Sequence, residues 1–174
     1  MMKRLIFIIP IFILSCSQNG EDRIKQQVVK EAFLKIVTAT SENNNEVNFD
    51  SIFVAKNPRP FGEFGVKLIT KDISVPENQV ETTSFPKVTE SLFESDFTSN
   101  LFVFEITDDF KPPKVNFGEK CYVLFSDIRK SDNYLFIKAS IIFTGKNILA
   151  ELYKFKIVED SIVFEKRYYS RNPY

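Results

Sequence analysis

The stretch Tyr134-Leu135-Phe136-Ile137-Lys138-Ala139-Ser140-Ile141-Ile142-Phe143 decides how the fold is read. Leu135, Ile137, Ala139, Ile141 and Phe143 alternate strictly with their neighbours, so an extended chain puts them on one side of a sheet. Residues 121–126, 148–157 and 162–169 share its β-branched and aromatic content. Turn-forming stretches separate them at residues 127–133, at Thr144-Gly145-Lys146-Asn147 and at Val158-Glu159-Asp160-Ser161. The pattern predicts four consecutive antiparallel strands with one buried face.

Pairing these strands brings candidate binding residues together. With Gly145 and Lys146 as a two-residue loop, Phe143 lies opposite Ile148 and Lys138 opposite Tyr153. With residues 158–161 as the next loop, Phe155 faces Phe164 and Lys154 faces Glu165, an opposite-charge match. One face then carries Lys138, Tyr153 and Lys166 in one row and Ser140, Glu151 and Tyr168 in the next. A carboxylate between two ammonium groups, beside two phenols, is a candidate site for a small polar ligand. The competing reading is a solvated face whose charges neutralise one another.

Upstream, residues 21–40 predict a helix with a broad apolar face. Ile24, Val28, Ala32 and Ile36 form one row, and Val29, Phe33 and Val37 the adjacent one. Glu21 and Asp22 at its start suit the helix dipole, and Asn43, Asn44 and Asn45 stop it. Between residues 49 and 120 six prolines break the pattern. Residues 66–70 and 101–106 read as short strands, and residues 90–97, with Phe93 and Phe97, as a short helix. Residues 57–65 read as a loop whose rings, Phe61 and Phe64, are either tucked into the core or offered to a partner, and tucking is the favoured reading. Asp108 and Asp109 before Pro112 and Pro113 read as a turn rather than as an acid and base or metal ligands.

Composition limits the chemistry. The 174 residues hold 19 Phe, six Tyr, no Trp and no His, so rings fill the core, and His-activated nucleophiles and imidazole metal ligands are excluded. The five glycines are too scattered for a phosphate-cradling loop, and no cofactor is expected. Basic and acidic residues balance at 23 each, with no basic stripe that would draw nucleic acid.

Residues 1–20 have their own logic. Lys3 and Arg4 precede ten residues, 5–14, without a polar group, followed by Ser15, Cys16 and the polar Ser17, Gln18, Asn19 and Gly20. Ten apolar residues are too few to span a bilayer, which takes about 20. Ile13-Leu14-Ser15-Cys16 resembles the lipobox of bacterial lipoproteins. The resemblance implies that residues 1–15 are a signal peptide removed after Ser15, that Cys16 is lipidated (thioether-linked, amine-acylated, palmitate-type), and that residues 16–20 are a tether. A single α+β domain then occupies residues 21–174. Ser17 after the cysteine fits sorting to an outer membrane, on its periplasmic face or the cell surface. Glu21 and Asp22 resemble the acidic stretch of some surface-exported Bacteroidetes lipoproteins. With Cys16 lipidated, Cys121 is the remaining thiol, expected as a buried small hydrophobe.

The whole resembles small uncharacterised lipoproteins of Bacteroidetes, and a helix against a curved antiparallel sheet also resembles cystatin-like and NTF2-like folds. The expected fold is therefore α+β, an N-terminal amphipathic helix packed on an antiparallel sheet that ends in a four-strand meander. The expected function is a non-catalytic, membrane-anchored envelope protein that binds another envelope protein or a small ligand. The alternatives are a carboxylate-dependent hydrolase acting on envelope polymers and a toxin-immunity-type lipoprotein.

Overall fold

The computed structural model of the chain describes residues 9–42, 51–89, 92–93, 103–107, 120–143 and 147–171. In chain order these form α1 (Ile9–Glu42), β1 (Ser51–Ala55), α2 (Glu63–Ile73), a 3-10 turn (Glu77–Gln79), β2 (Glu81–Thr83), β3 (Val103–Thr107), β4 (Lys120–Phe125), β5 (Ile128–Ser131), β6 (Tyr134–Phe143), β7 (Asn147–Val158) and β8 (Ser161–Arg171).

The alternating strand β6 is the centre of the sheet. One edge pairs with β7 along its full length; the other pairs with β4 from Phe143 to Ala139 and with β5 from Phe136 to Tyr134. β4 and β5 are thus two halves of one broken strand, and the break at Ser126 and Asp127 keeps its hydrogen bonds. The Ser126 N–H donates to the Lys138 carbonyl (2.8 Å), and the Lys138 N–H donates to Ser126 Oγ (3.0 Å). On the far side the Arg59 N–H donates to the Phe125 carbonyl (2.8 Å), and the Asp127 N–H donates to the Arg59 carbonyl (3.0 Å). Pro58 and Pro60 flank Arg59 and have no N–H of their own, so Arg59 supplies the local donor.

The expected meander is present as β4, β6, β7 and β8 in adjacent positions, each antiparallel to the next. Two features enlarge it. β5 lies within residues 127–133, expected as a connection, and carries β2 on its other edge. β1 pairs parallel with both β4 and β3, so the sheet is mixed. The strand expected at residues 101–106 is β3.

α1 packs across β6 and β8 on one face of the sheet. Its buried side chains, Val28, Val29, Ala32, Phe33 and Ile36, meet Ile137, Ala139 and Ile141 of β6, Tyr153 and Phe155 of β7, and Cys121, Val123 and Phe125 of β4. The predicted rows are the ones buried, and a helix laid on a sheet in an α+β fold is what forms. α1 begins at Ile9 rather than at residue 21, so Glu21 and Asp22 lie within it and not at its positive end. They meet Lys25 one turn on, at 2.8 and 3.9 Å, and that ammonium holds the Glu21 carboxyl below its ordinary range. Asn43, Asn44 and Asn45 lie outside the described residues, as does most of the segment 90–97; Phe93, within it, is buried against Phe33 with ring centroids 4.8 Å apart.

The opposite face carries a second layer that the sequence reading lacked. Residues 66–70, expected as a strand, belong to α2, whose Val66, Leu68, Ile69 and Ile73 cover Phe136 of β6 and Leu152 of β7. Phe61, just before α2, is fully buried as expected, but Phe64 points outward and is 66% exposed. Two glycines permit this start. Gly62 takes φ 80° and ψ 152°, where a Cβ is disfavoured, and a Cβ on Gly65 would collide with the Phe61 ring. Ser74, at φ 56°, ends α2 in the left-handed conformation, with its N–H bonded to the Thr70 carbonyl.

Candidate functional site

The β6–β7 register differs by one residue from the expected one. Phe143 pairs with Asn147, not Ile148, and Lys138 with Leu152, not Tyr153. Because side chains alternate, this slip turns every residue of β7 to the other face relative to β6. The expected register would have put Ala150, Leu152 and Lys154 beneath α1. The observed one puts Leu149, Glu151, Tyr153 and Phe155 there, and burying two large rings outweighs placing one carboxylate inside.

The five-residue site expected on one face is therefore divided. Lys138, Lys166 and Tyr168 share the α2 face, whereas Glu151 and Tyr153 lie on the α1 face. Glu151 is 4% exposed and Tyr153 fully buried, and the Tyr153 hydroxyl donates to the Glu151 carboxylate. Burial first, then the Glu151 charge, pushes the Tyr153 phenol far above its ordinary range, so it keeps its proton and remains a donor. Arg167, the cross-strand partner of Tyr153, acts in the opposite direction. The Tyr153 hydroxyl thus satisfies a carboxylate buried in the core.

Lys138 is also committed. Its Nζ donates to the Phe61 carbonyl at 2.7 Å and sits 5.9 Å from the Phe61 ring, with the Arg129 guanidinium 5.7 Å from the same ring. Burial lowers its pKa, and Asp127 partly restores it. Lys138 fastens the entry of α2 to the sheet.

The carboxylate between two ammonium groups does exist, but it is Asp72, from the last turn of α2. Asp72 Oδ2 lies 2.9 Å from Lys154 Nζ and Oδ1 3.4 Å from Lys166 Nζ, while Glu165 lies 3.3 Å from Lys154. A bulge between β7 and β8 makes this possible. Phe155 faces Phe164 as expected, with centroids 5.8 Å apart, but the next partner of Lys154 is Lys166, which swings Lys166 onto the α2 face. The expected attraction between Lys154 and Glu165 survives as an ion pair across the bulge. Tyr134 and Tyr168 complete the cluster, with Lys154 4.1 Å over one ring and Lys166 4.6 Å over the other.

Electrostatically the cluster is self-contained, two carboxylates against two ammonium groups. Burial works against the charged form of Asp72, but the Tyr168 hydroxyl, Lys154 and Lys166 outweigh it and hold the carboxyl below its ordinary range. Burial likewise opposes the charge on Lys154, and Asp72 and Glu165 overcome it and raise its pKa. For Tyr168, burial and the carboxylates of Asp72 and Glu165 act together to push the phenol up. A carboxyl with a depressed folded pKa contributes stability above its unfolded value, and that contribution is lost as the pH falls through the folded one. Asp72→Asn is therefore expected to cost about 2 kcal/mol at neutral pH. Its deficit relative to the wild type should shrink below about pH 4. Urea midpoints of both proteins across that range read the effect; a constant deficit would show that the ionised carboxylate is not what holds α2.

Cys121 is 1% exposed, and burial pushes its thiol up to about 12, so it is the small hydrophobe expected rather than a nucleophile. Asp108 and Asp109 lie outside the described residues, and the backbone of Cys16 lies within α1. Among the described residues, no three His, Cys, Asp or Glu side chains gather where they could hold a metal ion. Asp72 is the residue that sequence reasoning missed, and its signal lay in the helical spacing of Val66, Ile69 and Ile73, which places residue 72 beside that buried stripe. In comparisons with known proteins, the chain matches no family model, no curated protein and no solved structure.

Proposed function

We propose that this chain is a lipid-anchored protein of a bacterial outer membrane, cut after Ser15 and acylated on Cys16, whose body is a non-catalytic binding module. The observation that carries the reading is the run from Lys3 and Arg4 through ten residues without a polar group to Ser15 and Cys16. Where the side chains of α1 are described, Gly20 to Arg23 are exposed and Ile24 is the first that packs against the core. The ten apolar residues 5–14, the last two of them within the lipobox, supply the anchor signal with it, and no helix among the described residues is long and apolar enough to cross a membrane.

The non-catalytic part of the reading rests on commitment. Glu151 is closed in with Tyr153, Asp72 is divided between two lysines, and Lys138 is held on a carbonyl. A general acid or base needs a free path to substrate. Binding to an envelope protein or small ligand is assigned to the edge of the sheet at β8, where Val163, Glu165 and Lys166 are exposed and where β8 pairs only with β7 among the described residues.

Cys16→Ser is expected to abolish incorporation of labelled fatty acid and to shift the protein from acylated mature form to uncleaved precursor. Metabolic labelling with an alkyne fatty acid reads both at once. Undiminished labelling or unchanged processing in the variant would contradict the reading, as would cleavage of a glycan or peptide library by the purified protein.

A further inference from the structure

The outer surface of α2 takes no part in the fold. Phe64, Lys67, Lys71 and Ser74 follow one another at spacings of three and four residues, so they form one line along the helix, and all four are exposed. Phe64, at 66%, is the most exposed large hydrophobic side chain among the described residues. Arg59 is exposed in the loop that leads into α2. The acidic residue in the last turn, Asp72, is turned inward and held by Lys154 and Lys166, so it does not cancel the lysines outside. Glu63 is exposed at the first turn, and Glu77 follows beyond the last; cations dominate the line between them.

We propose that this stripe is a second membrane contact, which lays α2 on anionic lipid headgroups with the Phe64 ring at the edge of the acyl region. The proposal rests on the anchor at Cys16, which keeps the body beside a bilayer. One ring among lysines and an arginine offers far less apolar surface than the roughly 800 Å² per partner of a stable protein interface. It does suit a headgroup layer, where cations meet lipid phosphates and one amphipathic face dips into the interface. α1 and α2 lie on opposite faces of the sheet, with axes about 20 Å apart. Contact on the α2 side therefore requires residues 16–23, helical in α1, to unwind; extended, they reach up to about 26 Å.

The test uses the full chain, processed and purified from membranes, with Glu63→Cys carrying an environment-sensitive fluorophore. Cys121 is buried and does not compete for label. In phosphatidylglycerol vesicles the fluorophore should shift to the blue and be quenched by nitroxide lipids, and in phosphatidylcholine vesicles it should do neither. Adding Lys67→Ser and Lys71→Ser should lower the equilibrium constant for the lipid-contacting state about 25-fold, at roughly fivefold per cation. Adding Phe64→Ser should remove the nitroxide quenching. A water-exposed fluorophore in anionic vesicles, the same signal in both vesicle types, or no response to the substitutions would overturn the proposal. So would a blue shift that appears only when envelope proteins are added, which would assign the stripe to a protein partner. The labelling stoichiometry reports on the anchor separately: two fluorophores per chain mean that Cys16 is free and the lipoprotein reading is wrong, while the vesicle signal still decides the stripe.

Discussion

Replacing Phe61 by Ala is expected to lower the free energy of unfolding by about 4 kcal/mol and to release α2 from the sheet. Phe61 is fully buried and anchors the smaller core cluster with Ile69, Val80, Phe136 and Leu152. The Gly65 backbone closes on its ring, Arg129 and Lys138 lie over it, and its own carbonyl receives the Lys138 ammonium. Truncation would open a cavity that two cations border, which a core cannot collapse to fill. Urea denaturation measures the loss. Amide exchange should locate it, with protection falling first across Glu63–Ile73 and only later in β6 and β7. A loss below about 1 kcal/mol, of the size expected for a surface change, would mean that α2 is not packed as described.

Phe33→Ala is expected to cost a similar amount, about 4 kcal/mol, by a separate route. Phe33 is 1% exposed and meets Phe93 within the larger cluster, between α1 and the sheet. Its loss should be felt as global unfolding, because the central strands β4, β6 and β7 bury their inner faces in that cluster. Since the two phenylalanines lie on opposite faces of the sheet and share no neighbour in either cluster, the double variant should be additive within about 0.5 kcal/mol. Strong coupling between them would contradict the arrangement of one helix on each face.

The parts of the fold legible in the sequence are those in which period and burial agree over a long run. β6 alternates for ten residues, and the inner face of α1 repeats at three and four residues, so each fixes its own type. The pairing of Phe155 with Phe164 could be read because a two-residue turn sets it locally. α2 was not legible, because Val66, Ile69 and Thr70 carry strand preference and two glycines nearby suggest a loop. Only the tertiary role of those glycines, a positive φ at Gly62 and the Phe61 ring against Gly65, explains them.

The site was less legible than the fold for one reason, the β6–β7 register. A turn rich in Thr, Gly, Lys and Asn is compatible with two lengths, and one residue decides which face receives Glu151 and Tyr153. The choice is made by α1, which favours the rings of Tyr153 and Phe155 over Leu152 and Lys154, and α1 is a hundred or so residues away in sequence. The five residues foreseen as one site are divided between the two faces, and the carboxylate that does lie between two lysines, Asp72, comes from a helix the sequence had hidden.

The most direct measurement is the intact mass of the protein extracted from native membranes. The account predicts residues 16–174 plus the acyl and thioether-linked lipid groups on Cys16. A chain that retains Met1, with no lipid mass on the thiol, would contradict it.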